Sequence, residues 1–384
     1  MPVEMKTYAV SDIAEILSGG TPKTSISEYW NGDIPWLSVK DFNNDSLYVY
    51  KTERKITQKG LNNCSATLLK KDDIVISARG TVGVLTMVPF PMTFNQSCFG
   101  LRAKSDFVNA TYLYYALQTK VKEMILNSHG SVFNTINRDD FDNIKIQIPS
   151  LKKQIKIGCI LSDFDKRIEN LRAQNRVLEQ TAKTIYDYTF LQCAGHQTTY
   201  NKTLNRNIPT NWEVKKLGDL CRIFTGKKDV SKRIPGDYAF FSCAPEKLSS
   251  NEYLYDGQAI LVSGNGSYTG RVSYYDGKFD LYQRTYACVL KNTSASVMPY
   301  LYFTMKYLFE PAYSGGTHGS AIPYIVMNDL TNYSICWNSP AIESFVQRVS
   351  PMFKKRLINL KQIEALITQR NTLLPLLMTG QIEV

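Results

Sequence analysis

Apolar positions recur at alternating steps of three and four along residues 161–189: Leu161, Phe164, Ile168, Leu171, Asn175, Leu178, Ala182, Ile185 and Thr189. This is the a/d rhythm of a coiled-coil seam, and no Pro or Gly interrupts it. At about 1.5 Å per residue the run predicts a helix of roughly 40 Å, long for a helix folded into one domain. A single apolar seam requires a partner. The rhythm returns at Phe353, Leu357, Leu360, Glu364, Ile367, Asn371, Leu374 and Met378, with Ile363 and Leu366 widening the apolar face. KRIENL at 166–171 is echoed by KRLINL at 355–360, and Pro375 predicts a kink or stop near Leu374. Asn175 and Glu364 hold equivalent seam positions. A polar residue there lowers stability but fixes register.

The pattern upstream of each rod also occurs twice. In the first half, an amphipathic stretch at 8–17 ends in Gly19-Gly20-Thr21-Pro22-Lys23. Strands are predicted at 34–39 (IPWLSV), 74–80 (IVISARG) and 93–103, a helix at 110–126, and a strand at 144–149 that stops at Pro149. In the second half Asp219 answers Asp12, Phe240 answers Trp36, Ser263 answers Ser77 and Gln283 answers Gln96. THGS at 317–320 answers SHGS at 128–131, so two of the three histidines, His129 and His318, fall at matched places. These observations predict an internally duplicated α+β chain. Its segments are a domain at 1–150, a long helix at 151–192, a polar linker at 193–211, a second domain at 212–340 and a second long helix at 341–384. Two similar halves imply a pseudo-two-fold arrangement with the helices paired as a coiled coil.

Composition narrows the function. The 384 residues carry a formal net charge of +11 and a pI of about 9.1, which favours a polyanionic partner, nucleic acid first. There is no apolar run long enough to span a bilayer and no signal-peptide layout at 1–17. Eight scattered cysteines without a CxxC pair read as reduced thiols in the cytoplasm.

A catalytic motif is not found. TGKKD at 225–229 lacks the glycine and hydroxyl residue of a phosphate-binding loop, and GNGSYTG at 264–270 lacks the acidic residue of a dinucleotide site. The histidines are not spaced as metal ligands and no Cys/His cluster accompanies them. Recognition remains. Glycine-permitted turns after the two buried strands carry Arg79 and Thr81 in one half, Asn265 and Ser267 in the other. Arg is suited to guanine, and Asn or Gln to adenine. Gln96, Gln283, His129 and His318 are further candidates for base contacts, and Lys23, Lys40, Arg102, Lys227, Lys228, Lys232, Arg233, Arg271 and Arg284 for phosphates. Arg79 answers Asn265, so donor chemistry changes at a matched place, as two readers of different sequences on one scaffold would require.

GGTPKT at 19–24, IPWLSVKD at 34–41, DIVISARGTVG at 73–83, NTINRDDF at 134–141, the strand ending at Pro149 and the rod after each half resemble the specificity subunit of Type I restriction–modification systems. The resemblance runs the length of the chain. It departs in the second half, where TGKK replaces GGTP and Asn338-Ser339-Pro340 replaces the Ile-Pro close. It implies two target recognition domains, each reading one half of a bipartite, asymmetric site in double-stranded DNA, and an antiparallel coiled coil acting as a ruler. It further implies docking of two methyltransferase subunits and, in some assemblies, restriction subunits. S-adenosylmethionine and ATP would then belong to those partners, with no cofactor or metal in this chain. The competing expectation is a self-contained DNA-modifying enzyme.

Overall fold

Ile74-Val75-Ile76 is apolar on both faces of a strand, which predicts cover on both sides. In the computed structural model all three are fully buried. Ile74 and Ile76 enter one core with Tyr112, Leu113 and Leu117 of the helix Ala110–Asn127. Val75 points the other way, into a core with Leu37, Val88 and Phe94. The structure describes residues 5–42, 46–127, 135–291, 297–314 and 323–384. The chain divides into two compact units, Met1–Ala173 with Leu360–Val384, and Gln174–Asn359.

The first unit holds these strands in chain order: β1 (Lys6–Ala9), β2 (Ala14–Ser18), β3 (Trp30–Leu37), β4 (Arg54–Ile56), β5 (Ile74–Ser77), β6 (Leu85–Met87), β7 (Thr93–Phe94), β8 (Cys98–Ala103) and β9 (Lys145–Ile148). β1 pairs antiparallel with β9. A four-stranded antiparallel sheet runs β2-β8-β5-β6, and a three-stranded one runs β4-β3-β7, with β3 parallel to β7.

The second unit holds β10 (Thr198–Asn201), β11 (Arg206–Pro209), β12 (Glu213–Lys216), β13 (Cys221–Thr225), β14 (Tyr238–Phe241), β15 (Lys247–Ser250), β16 (Tyr255–Ser263), β17 (Val272–Leu281), β18 (Thr285–Leu290) and β19 (Ser334–Trp337). β12 pairs antiparallel with β19, and a six-stranded sheet runs β13-β18-β16-β17-β14-β15. β16 is covered on both faces as β5 is. Ile260 and Val262 pack with Leu301, Met305 and Phe309, while Ala259 and Leu261 pack with Phe279 and Leu281. The stretch 193–211, expected to be a polar linker, instead forms the β10–β11 hairpin. Ile208 is buried with Phe190 and Trp212, and the Arg206 guanidinium donates to the Phe190 carbonyl at 2.6 Å. A cation on the last turn satisfies a carbonyl that the helix leaves orphaned.

The predicted rods are the helices Leu151–Tyr186 and Ser339–Met378. Both contribute to each unit, and within each unit they run antiparallel. In the first unit Asp165 pairs with Arg370, and Leu161 shares a core with Leu374, Leu377 and Met378. In the second, the Asn359 amide donates to the Asn175 side-chain oxygen at 3.0 Å, and Arg356 lies 3.5 Å from Glu179. The fold is therefore α+β with an antiparallel helical pair.

The seam is partly shifted from its predicted register. Leu161, Ile168, Asn175, Phe353, Ile363 and Leu374 are buried as expected. Phe164, Leu171, Leu178, Ile185, Leu357 and Ile367 are half-buried flanks. Leu360 is 39% exposed and Glu364 lies outside the seam; Asn359 and Arg370 are buried in their place. Polar residues that bond one another across the pair can occupy a seam, and hydrophobicity alone passes over them. The second helix also continues through Pro375 to Met378. It begins at Ser339, capped by the Asn338 side chain, which accepts from the Ala341 amide at 3.0 Å.

Candidate nucleic-acid interface

In the first unit the four-stranded sheet brings the C-terminal ends of β2 and β5 and the N-terminal ends of β6 and β8 to one edge. Three turns meet there. The Gly20 amide donates to the Phe94 carbonyl at 2.9 Å, and a Cβ on Gly19 would lie 2.1 Å from the Asn95 carbonyl oxygen. Glycine is thus what lets the 19–23 turn lie against the 95–97 turn. The Thr21 hydroxyl donates to the Gln96 side-chain carbonyl. Trp36 and Trp30 hold the same turn through their indole N–H groups, to the Gly20 carbonyl at 2.9 Å and the Lys23 carbonyl at 3.3 Å. The Arg54 guanidinium stacks 3.6 Å from the Trp30 ring.

Beyond β5, the Ala78 amide donates to the Ser97 carbonyl at 2.8 Å and Arg79 forms an antiparallel bridge with Thr135. Gly80 then turns the chain at φ +76°, and Ser77 closes the loop by donating to the Thr81 carbonyl and accepting from the Val84 amide. Arg79, Thr81, Gln96 and Lys23 are exposed at this edge. Lys40 is exposed on the Val39–Phe42 turn after β3, whose Leu37 carbonyl accepts from Asn95 at 2.9 Å.

Arg102 does not join them. It sits at the opposite end of β8, in a bidentate pair with the buried Asp73 (2.7 and 3.1 Å) and 3.7 Å from Glu15. A buried carboxylate needs such a partner, so this charge is committed to the fold. His129 and His318 lie outside the described residues.

The second unit repeats the frame. A Cβ on Gly226 would lie 1.7 Å from the Leu281 carbonyl oxygen, and the Gln283 amide donates to the Lys228 carbonyl at 3.0 Å. The Gly264 amide donates to the Arg284 carbonyl at 2.8 Å, Asn265 bridges Tyr324 antiparallel, and Gly266 turns the chain at φ +79°. Ser263 donates to the Cys243 carbonyl, and the Cys243 thiol donates to the Asn265 side-chain oxygen at 3.1 Å. Lys227, Lys232, Ser267, Gln283 and Arg284 are exposed here. Lys228 is instead bound by Asp280 at 3.2 Å and by Glu252, Arg233 donates to the Ser249 carbonyl at 2.6 Å, and Arg271 donates to the Ala244 carbonyl at 2.8 Å. Those three are structural clamps within the loops.

The sequence reading passed over Thr21, Cys243 and Tyr268. Tyr268 is 46% exposed on the turn after Asn265, and an aromatic inside a glycine-rich turn was the signal available. Burial pushes the Cys98 and Cys221 thiols up to about 12, which holds them protonated and unreactive at neutral pH. Among the described residues no group of three or more His, Cys, Asp or Glu is placed to hold a metal ion, and no helix is long and apolar enough to cross a membrane.

A family model described as the Type I restriction modification DNA specificity domain matches residues 2–180 and 209–371. The Type I restriction enzyme MjaIX specificity subunit of Methanocaldococcus jannaschii is 31% identical over 100% of this chain and 95% of its own length. The MjaVIII specificity subunit of the same organism is 24% identical over 100% of this chain and 94% of its own. In fold, the chain is similar to the crystal structure of the Type I restriction–modification S subunit from M. genitalium, with a TM-score of 0.63 at 14% identity, covering 98% of this chain and 96% of that one.

Proposed function

The chain belongs to the Type I restriction–modification DNA specificity family, and from that premise we propose that each unit reads one half of a bipartite, asymmetric duplex target. It is a non-catalytic recognition subunit that binds DNA and assembles with other subunits of a Type I system. The paired helices set the distance between the half-sites and dock two methyltransferase subunits. S-adenosylmethionine and ATP are held by those methyltransferase and restriction partners, and the assembly works in the cytoplasm.

The observation that carries this reading is the repeated strand-end frame with unlike tips, Arg79 bridged to Thr135 in one unit and Asn265 bridged to Tyr324 in the other. A net charge of +11 supports it, since phosphate neutralisation supplies most of the affinity for duplex DNA. Duplex binding by the assembled complex should fall steeply with salt, with a log–log slope of about −0.9 per phosphate neutralised. Methyl transfer should appear only when methyltransferase subunits are added. Salt-independent binding, or methyl transfer by this chain alone, would overturn the proposal.

A further inference from the structure

In each unit the residue after the central strand is hydrogen-bonded to the turn that opens its antiparallel partner strand. In the first unit Ser77 faces Cys98 and the Ala78 amide bonds the Ser97 carbonyl, so Arg79 follows beside the turn that carries Gln96, which the Cys98 amide closes by donating to the Asn95 carbonyl at 3.3 Å. In the second, Ser263 faces Thr285 and the Gly264 amide bonds the Arg284 carbonyl, so Asn265 follows beside the turn that carries Gln283, which the Thr285 amide closes by donating to the Tyr282 carbonyl at 2.9 Å. Arg79 and Asn265 each precede a glycine at positive φ, Gly80 or Gly266.

The two pairs differ in what they offer a base. The guanidinium of Arg79 can only donate, and it is exposed. Gln96 has one acceptor site of its carbonyl oxygen occupied by the Thr21 hydroxyl, and its exposed side chain offers its amide N–H groups as donors. The first unit therefore presents donors from both members of its pair. In the major groove guanine is the base whose edge carries two adjacent acceptors, N7 and O6. In the second unit both residues carry amides, and the Cys243 thiol occupies one acceptor site on the Asn265 oxygen while the Asn265 amide N–H groups remain. An amide bridges N7 and the N6 amino group of adenine, and cannot make the double donation that guanine rewards.

We infer that Arg79 with Gln96, and Asn265 with Gln283, are the base-reading pairs of the two units, and that the half-site read by the first unit contains a guanine contacted by Arg79. Thr21 is a positioning residue for Gln96. This rests on the proposed function and deepens it by assigning base chemistry to one half of the target.

The test maps methylated bases in host cells lacking the gene and complemented with the wild-type gene, Arg79→Ala, Thr21→Val or Asn265→Ala. Duplex binding by the assembled complexes is then measured with 7-deazaguanine placed in each half-site. The expected result is that Arg79→Ala relaxes one half of the methylated motif at a guanine, with about ten- to a hundredfold loss of preference there, while Asn265→Ala relaxes the other half. 7-Deazaguanine at that guanine should weaken wild-type binding and leave the Arg79→Ala complex unaffected. Thr21→Val should give a smaller loss in the Arg79 half alone. Uniform weakening on all duplexes after Arg79→Ala would make it a phosphate contact and overturn the inference, as would an unaltered motif. Should no split motif depend on the gene, the proposed function itself fails; should the motif depend on the gene but on none of these residues, only the assignment of the pairs fails.

Discussion

The two units carry the same frame and differ in how they hold it. In the second unit β17 runs unbroken for ten residues, so strands on both of its sides join one six-stranded sheet. In the first, the corresponding stretch is split into β6 and β7 by Val88-Pro89-Phe90-Pro91-Met92, and the sheet falls into four and three strands. Proline donates no ladder hydrogen bond. The second unit has Asp276-Gly277-Lys278 at this point, with Gly277 at φ +136° facing Gly257 at φ +133°. The lesson is that a duplicated frame survives the loss of a continuous strand when its turn-to-turn hydrogen bonds are kept. Those bonds, rather than sheet continuity, place the exposed loops.

The helix seams differ likewise. The first unit buries a charged set, Asp165 with Arg370 and the Tyr115 hydroxyl. The second buries a neutral pair, Asn175 with Asn359, whose remaining amide nitrogen and oxygen find no partner among the described residues. The largest expected effect follows from this contrast. Arg370→Ala strands a buried carboxylate and should cost about 3–5 kcal/mol in denaturant unfolding. Asn175→Leu combined with Asn359→Leu should be neutral or stabilising, because it removes two unsatisfied groups. Equal losses in both variants would erase the distinction.

Alkali should separate the units next. Burial raises the Cys98 thiol in the first unit and the Cys221 thiol in the second, each to about 12. The Tyr48, Tyr112 and Tyr115 phenols of the first unit are raised by burial, as are Tyr186, Tyr274, Tyr300, Tyr302, Tyr307 and Tyr333 of the second. The folded state therefore keeps protons that the unfolded chain releases above pH about 9 for thiols and about 10 for phenols. Stability is fully present below those values and falls as pH rises, by about 1.4 kcal/mol per pH unit for each group. With more raised phenols, the second unit should lose amide protection from hydrogen exchange at lower pH than the first.

Smaller effects test the strand comparison. Gly277→Ala forces a side chain into a conformation that glycine alone adopts easily and should cost about 1–3 kcal/mol. Pro89→Ala in the first unit should change stability by less than about 1 kcal/mol. Asn338→Ala removes the cap of the second long helix and should cost about 1 kcal/mol, read from the same unfolding curves.

Much of this was written in the chain where a side-chain pattern has one physical solution. The apolar rhythm at 161–189 demanded a helix with a partner, and the apolar triplets at 74–76 and 260–262 demanded strands covered on both faces. Matched residues such as Ser77 and Ser263 do close matched loops through their backbones, Ser77 with Gly83 and Val84, Ser263 with Gly270 and Arg271. What escaped was set by partners distant in sequence. Arg102 and Lys228 are basic residues like any other until Asp73 and Asp280 are found beside them. Asn359 and Arg370 enter the seam beside Asn175 and Asp165, to which they are bonded. The 193–211 stretch is polar in composition, yet Ile208 and Trp212 suffice to anchor a hairpin.

The proposal that this chain gives a Type I assembly its two-part target can be put to one experiment. The most direct measurement is a genome-wide map of methylated bases in the host with the gene present and with it deleted. A single split motif with a fixed spacer should disappear on deletion and return on complementation. An unchanged methylation map in an otherwise methylation-competent host, or the loss of an unsplit motif, would contradict it.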